Sequence, residues 1–522
     1  MFDISKMSLR QKINQTIVVL MEKDKKIDFC PGAAFFFGQI ITEADETGLD
    51  ELRGYVKELI EHCDLPPLIT SDFENGCGSM LKGLTPLPYL MGLGATNSEE
   101  IAYNYGKATA LEARSVGANW SFSPVCDLNI NKRNPLVNVR GIGDNPDHAI
   151  RLLKQVIRGM QDNGLAACAK HFPGDGMDYR DQHIVTTNNT LSMDDWKKLS
   201  GKVFQELIDD GVYSVMAGHI TLPTYQQELF KNGMKLPATL SYELITNLLK
   251  KEMGYKGIVV TDALDMGGFM GWYKNQRQAE IESFKSGCDM MLWPTKYYVD
   301  DMVKAVENGY IPMERLDDAV TRILEMKEKL GLFKKDNHAV ILGKEEQDFI
   351  KKTQQETAEH SVTLIRDEGN FFPMSPENYP KIAVIPVTQH KPAFQEAELL
   401  CEEFRAKGFT VDYYQELLSN IENEEVVADH DLVIYALFSR PYRPMGFLDF
   451  MHPEAKKVAN CCKWGVEKTM VVSFDSPYFG NQYFERAVTY VNAYSMLTPS
   501  VKAFVRAATG EIEFGKFSPV EL

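Results

Sequence analysis

Short apolar segments alternate with longer amphipathic segments through the first three hundred residues of the chain. Seven of the apolar segments have the length and composition of buried strands: 33–41, 67–72, 119–125, 165–171, 213–220, 257–262 and 289–293. This alternation is typical of parallel strands that are joined through helices. Seven strands in this length favour a (β/α)8 TIM-like barrel over a doubly wound sheet, and no glycine-rich dinucleotide fingerprint follows the first strand. We therefore predict an α/β fold that begins with such a barrel.

A helix predicted over 312–333 completes this first unit, because its apolar residues recur at helical spacing and Gly331 can end it. A second α/β unit follows, with apolar runs at 382–387, 431–438, 469–474 and 487–494. A length of 522 residues also exceeds what one core normally holds. We predict a catalytic barrel over 1–335, a linker and connecting helix over 336–380, and a smaller α/β sandwich domain over 381–522. The last part shows no catalytic cluster, so we expect it to stabilise the barrel or to form a homodimer.

The overall composition argues against several classes of binding partner. The net charge of −17 argues against a nucleic-acid-binding protein, and no apolar run is long enough to predict a membrane span. The nine cysteines are scattered without a CxxC pair, which is typical of free thiols in a reducing compartment. Residues 1–26 predict an amphipathic helix rather than a secretory signal. We therefore expect a cytoplasmic protein whose partner is neither a nucleic acid nor a membrane.

The segment AKHFPGDGMDYRDQH, residues 169–183, concentrates polar side chains directly after a short apolar strand. Lys170 and His171 end that strand, and Asp181 and His183 follow a proline–glycine turn. Polar residues end other predicted strands as well, at Asp72, Asp127, His219 and Asp262. Because the carboxyl ends of barrel strands meet at one face, we expect these side chains to form the functional site there.

For several of these residues, a structural role is the alternative to a catalytic one. Asp262 ends the apolar run GIVVT, where a lone carboxylate can also be a structural cap, and Asp127 is equally open. His219 is more typical of a core or rim histidine with satisfied ring nitrogens. Asp181 lies two residues before His183, so it can hold one imidazole tautomer and raise the basicity of the other nitrogen.

A metal-dependent reaction would need several histidines and acids around one ion, but the first predicted strand offers phenylalanines and glycine without an HxH pair. We therefore expect no metal and no other cofactor. A carboxylate nucleophile with a separate proton donor is the arrangement that glycosyl transfer uses.

Several motifs resemble glycoside hydrolase family 3: KHFPGDG with the downstream DQH, GYKGIVVTDALDM, SDFENG and NWSFSPVCDLN. The DQH sequence is similar to the β-N-acetylglucosaminidase branch, and the tail GEIEFGKFSPVEL resembles the ending of the family's second domain. The resemblance implies that Asp262 is the nucleophile, that His183 is the acid/base and that Asp181 orients it. It further implies contacts to sugar hydroxyls from Asp72, Arg140, Lys170 and His171.

The chain departs from this branch in three respects. It has Asp175 between Gly174 and Gly176, where the branch often has a histidine, so the loop is expected to be held differently. It has NGCGSM over 75–80, where single-domain bacterial members carry arginines, so their muramyl-peptide specificity is not expected. Those members also lack the second domain.

These inferences lead to a retaining exo-β-N-acetylglucosaminidase that acts on an oligosaccharide or another amino-sugar glycoside and forms a covalent glycosyl-enzyme. The alternatives are a β-glucosidase or a dual β-glucosidase/N-acetylglucosaminidase, and an enzyme that uses phosphate as acceptor, since a histidine donor leaves no carboxylate to repel that anion. In the glucosidase branch the acid/base is a glutamate of the second domain, and the intact DQH argues against that arrangement. A sugar-binding relative without activity would be expected to lose Asp262 or His183, and the chain has both.

Overall fold

Eight short parallel strands form the centre of the first part of the chain. The computed structural model describes residues 4–334, 339–388, 394–438 and 455–522. The strands are β1 (Ile17–Met21), β2 (Ala33–Phe36), β3 (Leu68–Ser71), β4 (Trp120–Ser121), β5 (Cys168–Phe172), β6 (Ser214–Ala217), β7 (Ile258–Thr261) and β8 (Met291–Leu292). Neighbours in chain order pair from β1 to β4 and from β5 to β7, and β8 pairs with β1.

Two isolated parallel bridges, Trp120–Ala166 and Val260–Met290, join the remaining neighbours and close the ring. The predicted (β/α)8 barrel is confirmed, and each of the predicted strands overlaps a barrel strand.

Helices surround this ring of strands. They are α1 (Leu9–Gln15), α2 (Glu46–His62), α3 (Leu90–Thr96), α4 (Glu99–Ser115), α5 (Pro146–Gln161), α6 (Met193–Lys198), α7 (Ser200–Asp209), a π-helix over Glu243–Glu252, α8 (Gln276–Ser286), α9 (Tyr298–Glu307) and α10 (Met313–Lys329). Their ends follow local chemistry: Asn145 caps α5 by accepting the backbone N–H groups of Asp147 and His148, and Pro146 occupies the first turn.

The helix predicted over residues 1–26 is wrong for most of its length. In the described part of this segment, the helical elements are a 3-10 turn at Ile4–Lys6 and α1. Strand β1 begins directly after Thr16, the residue that follows α1. The sequence of β1 is IVVLM, and β-branched residues lose side-chain freedom in a helix. Pairing on both sides, with β8 and β2, then fixes the segment as a strand.

Large apolar side chains fill the inside of the ring. Phe35 stacks on Phe122 with centroids 5.7 Å apart and meets Trp293 edge-on at 5.2 Å. The buried indole Nε1 of Trp120 donates to Ser214 Oγ over 2.8 Å, so its polar atom is satisfied within the core. The polar end of the barrel therefore lies above a dry interior, where charges act on one another more strongly than in water.

Six strands form the sheet of the second part. They are β9 (Thr363–Asp367), β10 (Lys381–Thr388), β11 (Thr410–Tyr413), β12 (Leu432–Phe438), β13 (Thr469–Ser473) and β14 (Thr489–Asn492). Their order is β9-β14-β13-β12-β10-β11, and all pairs are parallel except β9 with β14.

Both faces of this second sheet are buried. Alternate residues of β12, such as Leu432 and Val433, enter different apolar clusters, one on each face. The helices of this part are α12 (Phe394–Ala406), α13 (Asn420–Asp429), α14 (Ala455–Val458), α15 (Tyr478–Tyr483) and α16 (Thr498–Ala508). This is the predicted smaller α/β sandwich domain.

The segment between barrel and second sheet contains helix α11 (Lys344–Ser361), which packs against α3, α4 and α16. Gln354 on α11 donates to the carbonyl of Pro86 over 2.6 Å, which ties it to the barrel. Strand β9 lies within the predicted connecting segment 336–380, although it pairs with the second sheet. The predicted boundary at residue 335 falls outside the described residues, and the division into domains stays a prediction. No helix in the described part of the chain is long and apolar enough to cross a bilayer.

Candidate active site

One cavity at the carboxyl end of the barrel strands has a volume of about 1280 Å³. Asp72 follows β3, Lys170 and His171 lie in β5, and Asp262 follows β7, so these elements bring their side chains to the same face. The cavity lining includes six of the residues implied by the motifs: Asp72, Arg140, Lys170, His171, His183 and Asp262. The seventh, Asp181, is buried behind His183.

The Asp262 carboxylate is mostly buried, with 13% of its side chain exposed. Its Oδ1 accepts the N–H of the next residue, Ala263, over 2.8 Å, and its Oδ2 lies 3.9 Å from His171 Nε2. Burial raises the pKa of this carboxyl, but the neighbouring His171 imidazole and the Lys170 ammonium lower it below its ordinary value. Asp262 is therefore an ionised carboxylate that faces the cavity.

The imidazole of His183 is held by Asp181. Its Nδ1 lies 2.7 Å from Asp181 Oδ1, and the same oxygen accepts the backbone N–H of His183 over 2.8 Å. Asp181 is fully buried, whereas 28% of the His183 side chain is exposed at the cavity. With Nδ1–H donating to the carboxylate, Nε2 is the nitrogen left to exchange a proton with a bound molecule.

Lys170 joins two acids beneath the cavity. Its Nζ lies 2.7 Å from Asp72 Oδ1 and 2.7 Å from Glu74 Oε1, and Arg140 binds both oxygens of Glu74 at 2.8 Å. Burial lowers the pKa of Lys170, but the two carboxylates raise it above its ordinary value, so the ammonium stays charged. Glu74 was not among the predicted site residues. Its only sequence signal is its place two residues after Asp72 in SDFENG.

His171 is oriented by Asp127, the strand-end acid whose interpretation was open. Asp127 Oδ2 lies 2.7 Å from His171 Nδ1, and Asp127 also accepts the backbone N–H groups of His171 and Asp175. With Nδ1 engaged, His171 directs Nε2 towards Asp262. Asp127 therefore positions a side chain of the cavity without entering it.

His219 is the satisfied core histidine that was expected. The side chain is fully buried, its Nδ1 lies 3.0 Å from Thr239 Oγ1, and its Nε2 lies 2.9 Å from the carbonyl of Ala263. Burial lowers its pKa below the ordinary value, which keeps the ring neutral at physiological pH.

Asp175, where the chain departs from the branch it resembles, is buried rather than open to the cavity. Its Oδ1 accepts from Asn134 Nδ2 over 2.9 Å and from Gly176 N over 2.7 Å. Burial and the neighbouring Asp127 raise its pKa to about 8. The loop is thus held by a buried acid and the Asn134 side chain.

The cavity is larger than the group of charged residues at its floor. Its lining also includes Phe37 and Trp293, whose ring centroids lie 5.2 Å apart, the exposed Gln39 and Lys82, and residues 495–497, which follow the last strand of the second sheet. This contribution from the second part of the chain was not predicted, because its residues Ser, Met and Leu carry no charge or motif. The volume leaves room for a ligand that extends beyond one ring.

Residues 8–326 match the model of the glycosyl hydrolase family 3 N terminal domain. The chain is 32% identical over 484 residues to a beta-N-acetylglucosaminidase/beta-glucosidase of Cellulomonas fimi, an alignment that covers 88% of this chain and 84% of that protein.

Two solved structures are similar over the whole chain. A beta-glucoside phosphorylase aligns with a TM-score of 0.88 and 29% identity over 99% of this chain and 94% of its own. A beta-N-acetylglucosaminidase from a Paenibacillus species aligns with a TM-score of 0.82 and 26% identity over 99% of both chains.

Proposed function

Because the chain belongs to glycosyl hydrolase family 3 and is a glycoside hydrolase, we propose that it is a retaining exo-β-N-acetylglucosaminidase. It would release terminal, non-reducing N-acetylglucosamine from an oligosaccharide or another small glycoside. The observation that carries this proposal is that an ionised carboxylate, Asp262, and an imidazole supported by an acid, His183 with Asp181, line one cavity. These are the nucleophile and the proton donor that a two-step glycosyl transfer needs.

In the first step, Asp262 attacks the anomeric carbon of the bound sugar. A carbon–oxygen bond to the carboxylate forms while the bond to the leaving oxygen breaks, and His183 gives its Nε2 proton to that oxygen. The carboxylate is suited to attack because it lines the cavity and its Oδ2 lies 3.9 Å from His171 Nε2, beyond normal hydrogen-bond distance.

In the second step, neutral His183 removes a proton from a water molecule at the position that the leaving group has vacated. The water oxygen attacks the anomeric carbon, and Asp262 departs as a carboxylate, so the configuration is retained. Asp181 contributes to both steps, because a buried carboxylate on Nδ1 stabilises the imidazolium and holds the ring in one orientation.

The charged group at the cavity floor is suited to bind the hydroxyls of the sugar. We assign these contacts to Asp72, Lys170, His171 and Arg140. Asp72 is the most open of the acids there, with 30% of its side chain exposed, while Lys170 and Arg140 are almost fully buried. Charges that the fold already holds in place cost little reorganisation when the substrate binds.

A second candidate is an enzyme that transfers the glycosyl group to phosphate, or one that also accepts β-glucosides. Two similarities favour it: the Cellulomonas fimi relative has both glycosidase activities in its name, and the structure aligned at a TM-score of 0.88 is a beta-glucoside phosphorylase. The donor also fits, because a neutral histidine carries no negative charge and so does not repel a phosphate acceptor, as a second carboxylate would.

A four-way assay tests the proposal. Initial rates are measured on aryl β-N-acetylglucosaminide and on aryl β-glucoside, each with and without inorganic phosphate, and the released sugar is identified. The proposal expects free N-acetylglucosamine as the main product and no need for phosphate. Preference for the glucoside, or a sugar phosphate as the main product, would replace it with the second candidate.

We also propose a cytoplasmic location. The nine cysteines, all of which lie in the described residues, are free thiols. Eight of them are buried and Cys30 is half-buried. A reducing compartment keeps such thiols unpaired.

A further inference from the structure

The loop that carries His183 docks on the loop that carries Asp262. The backbone N–H of Gly267 donates to the carbonyl oxygen of His183 over 2.8 Å, and the N–H of Gly268 donates to the carbonyl oxygen of Gln182 over 3.1 Å. The two catalytic segments are therefore joined directly, main chain to main chain.

This contact requires glycine at both positions. A Cβ at Gly267 would overlap the carbonyl oxygen of Ile184, and a Cβ at Gly268 would lie 2.5 Å from the carbonyl oxygen of Gln182 and 2.7 Å from His219 Cβ. Neither glycine is among those with a positive φ. The close approach of the two loops is therefore the reason for glycine here, rather than an unusual backbone conformation.

Side chains support the contact on one flank. Thr186 Oγ1 donates to the carbonyl oxygen of Gly268 over 2.6 Å and accepts the indole N–H of Trp272 over 2.9 Å. Beside it, residues Thr187–Asn188 pair with Ile220–Thr221, which ties the end of the acid/base loop to the segment after β6.

His219 supports the contact on the other flank. Its backbone N–H donates to Gln182 Oε1 over 2.8 Å, and its Nε2 donates to the carbonyl oxygen of Ala263 over 2.9 Å. One buried residue thus bonds to the residue before the acid/base and to the residue after the nucleophile. Each residue of the DQH segment makes one of these contacts. Asp181 binds the His183 ring, Gln182 Oε1 accepts the backbone N–H of His219, and the His183 carbonyl accepts the N–H of Gly267.

We propose that Gly267 and Gly268 are positioning residues that set the place of His183 relative to Asp262. This inference rests on the proposed roles of those two side chains. The two glycines bond to the loop that carries His183 and not to the Asp262 carboxylate. They therefore affect proton transfer to the leaving oxygen more than the attack of Asp262 on the sugar. A shift of about 1 Å in a catalytic group can lower a rate by about a hundredfold.

The test compares Gly267→Ala with wild type on two substrates, an unactivated N-acetylglucosamine disaccharide and an aryl glycoside with a good leaving group. We expect kcat on the disaccharide to fall by about 10- to 100-fold and kcat on the aryl glycoside by less than about threefold, because a good leaving group departs without a proton. The matched control is Gly54→Ala in α2, where a Cβ would meet no atom within 4 Å and the glycine has no positive φ. Both rates of this control should stay unchanged.

Thr186→Val and Thr186→Ser provide a second test in case Gly267→Ala does not fold. The valine variant should show the same selective loss on a smaller scale, and the serine variant, which keeps the hydroxyl, should restore the disaccharide rate. Equal losses on both substrates, or no loss, in folded variants would overturn the inference. His183→Ala, measured in parallel, separates the two proposals. If His183→Ala shows a selective loss on the disaccharide but the glycine and valine variants do not, only the positioning role is contradicted. If His183→Ala shows no selective loss, the proposed function itself is contradicted.

Discussion

At the scale of single residues, Asp262 is a carboxylate that its neighbours keep ionised inside a cavity. Asp262→Ala is expected to lower kcat by about 10⁴-fold or more, since loss of a covalent nucleophile has effects of that size. The fold should survive, because the hydrogen bond of this side chain is a local one, to the N–H of the next residue, Ala263. Rates are measured on aryl β-N-acetylglucosaminide, with the melting temperature as the check on folding.

Asp265→Ala is the matched control, because Asp265 also lines the cavity and is exposed. It should retain most of the activity. A folded Asp262→Ala variant that keeps a tenth of the wild-type rate would contradict the assignment.

His171 lies beside Asp262 and is one of the groups that lower the pKa of that carboxyl. As pH falls through the pKa of Asp262, the nucleophile is protonated and kcat/KM falls, and His171 helps to hold that pKa below its ordinary value. His171→Gln removes a positive neighbour, so the pKa of Asp262 rises and the acid limb of the profile moves to higher pH. The exposed His360 on α11 supplies the control His360→Gln. An acid limb that stays in place in His171→Gln would show that His171 has no such effect.

Position at a strand end predicted Asp72, Lys170, His171 and Asp262, which line the cavity, because parallel strands share one carboxyl face. It also predicted Asp127 and His219, which are buried beside the cavity and do not line it. The same reasoning could not identify Glu74. Its partner Arg140 lies 66 residues away along the chain, so only the folded structure shows that the two form a bidentate pair. Arg140 itself was found through resemblance and not through its position.

At the scale of elements, α10 carries a buried lysine against the end of α1. Lys327 is fully buried and donates to Gln15 Oε1 over 2.7 Å, and burial lowers its pKa to about 7. An unfolded lysine has a pKa of about 10.4, so between these values the unfolded state binds more protons and stability rises with pH. Lys327→Met should therefore raise the melting temperature relative to wild type more at pH 7 than at pH 9.5.

The exposed Lys329 on the same helix provides the control for this prediction. Lys329→Met should change the melting temperature by the same amount at both pH values. If Lys327→Met did so too, the lowered pKa of Lys327 would be contradicted.

Helices and strands could be predicted from the sequence where one hydrophobic pattern extends over a long segment. The helix predicted over 312–333 is α10 (Met313–Lys329), because its apolar residues recur at helical spacing over the whole segment. Strand β1 was missed because its five residues lie between charged segments, and only pairing with β8 and β2 makes it a strand. The contact of Gly267 with the His183 carbonyl joins residues on different loops, which no local pattern records.

At the scale of the whole molecule, the residues of the second sheet's part that line the cavity in the described chain are Ser495, Met496 and Leu497, and none of these three is titratable. Met496 is half-buried. Met496→Ala should raise KM for a disaccharide by about threefold through lost apolar contact, and it should leave kcat on an aryl glycoside almost unchanged. A fall in kcat as large as that of Asp262→Ala would mean that the second domain takes part in the chemistry.

In the proposed mechanism, the whole enzyme divides its chemistry between the nucleophile Asp262 and the proton donor His183. The most direct measurement is kcat of His183→Ala on two classes of substrate, a natural disaccharide and an aryl glycoside with a good leaving group. We expect a loss of about 10²- to 10⁴-fold on the disaccharide and a far smaller one on the aryl glycoside, with Asp181→Ala showing the same preference more mildly. Equal losses on the two classes, together with a lowered melting temperature, would make Asp181 and His183 a structural pair and would contradict the account.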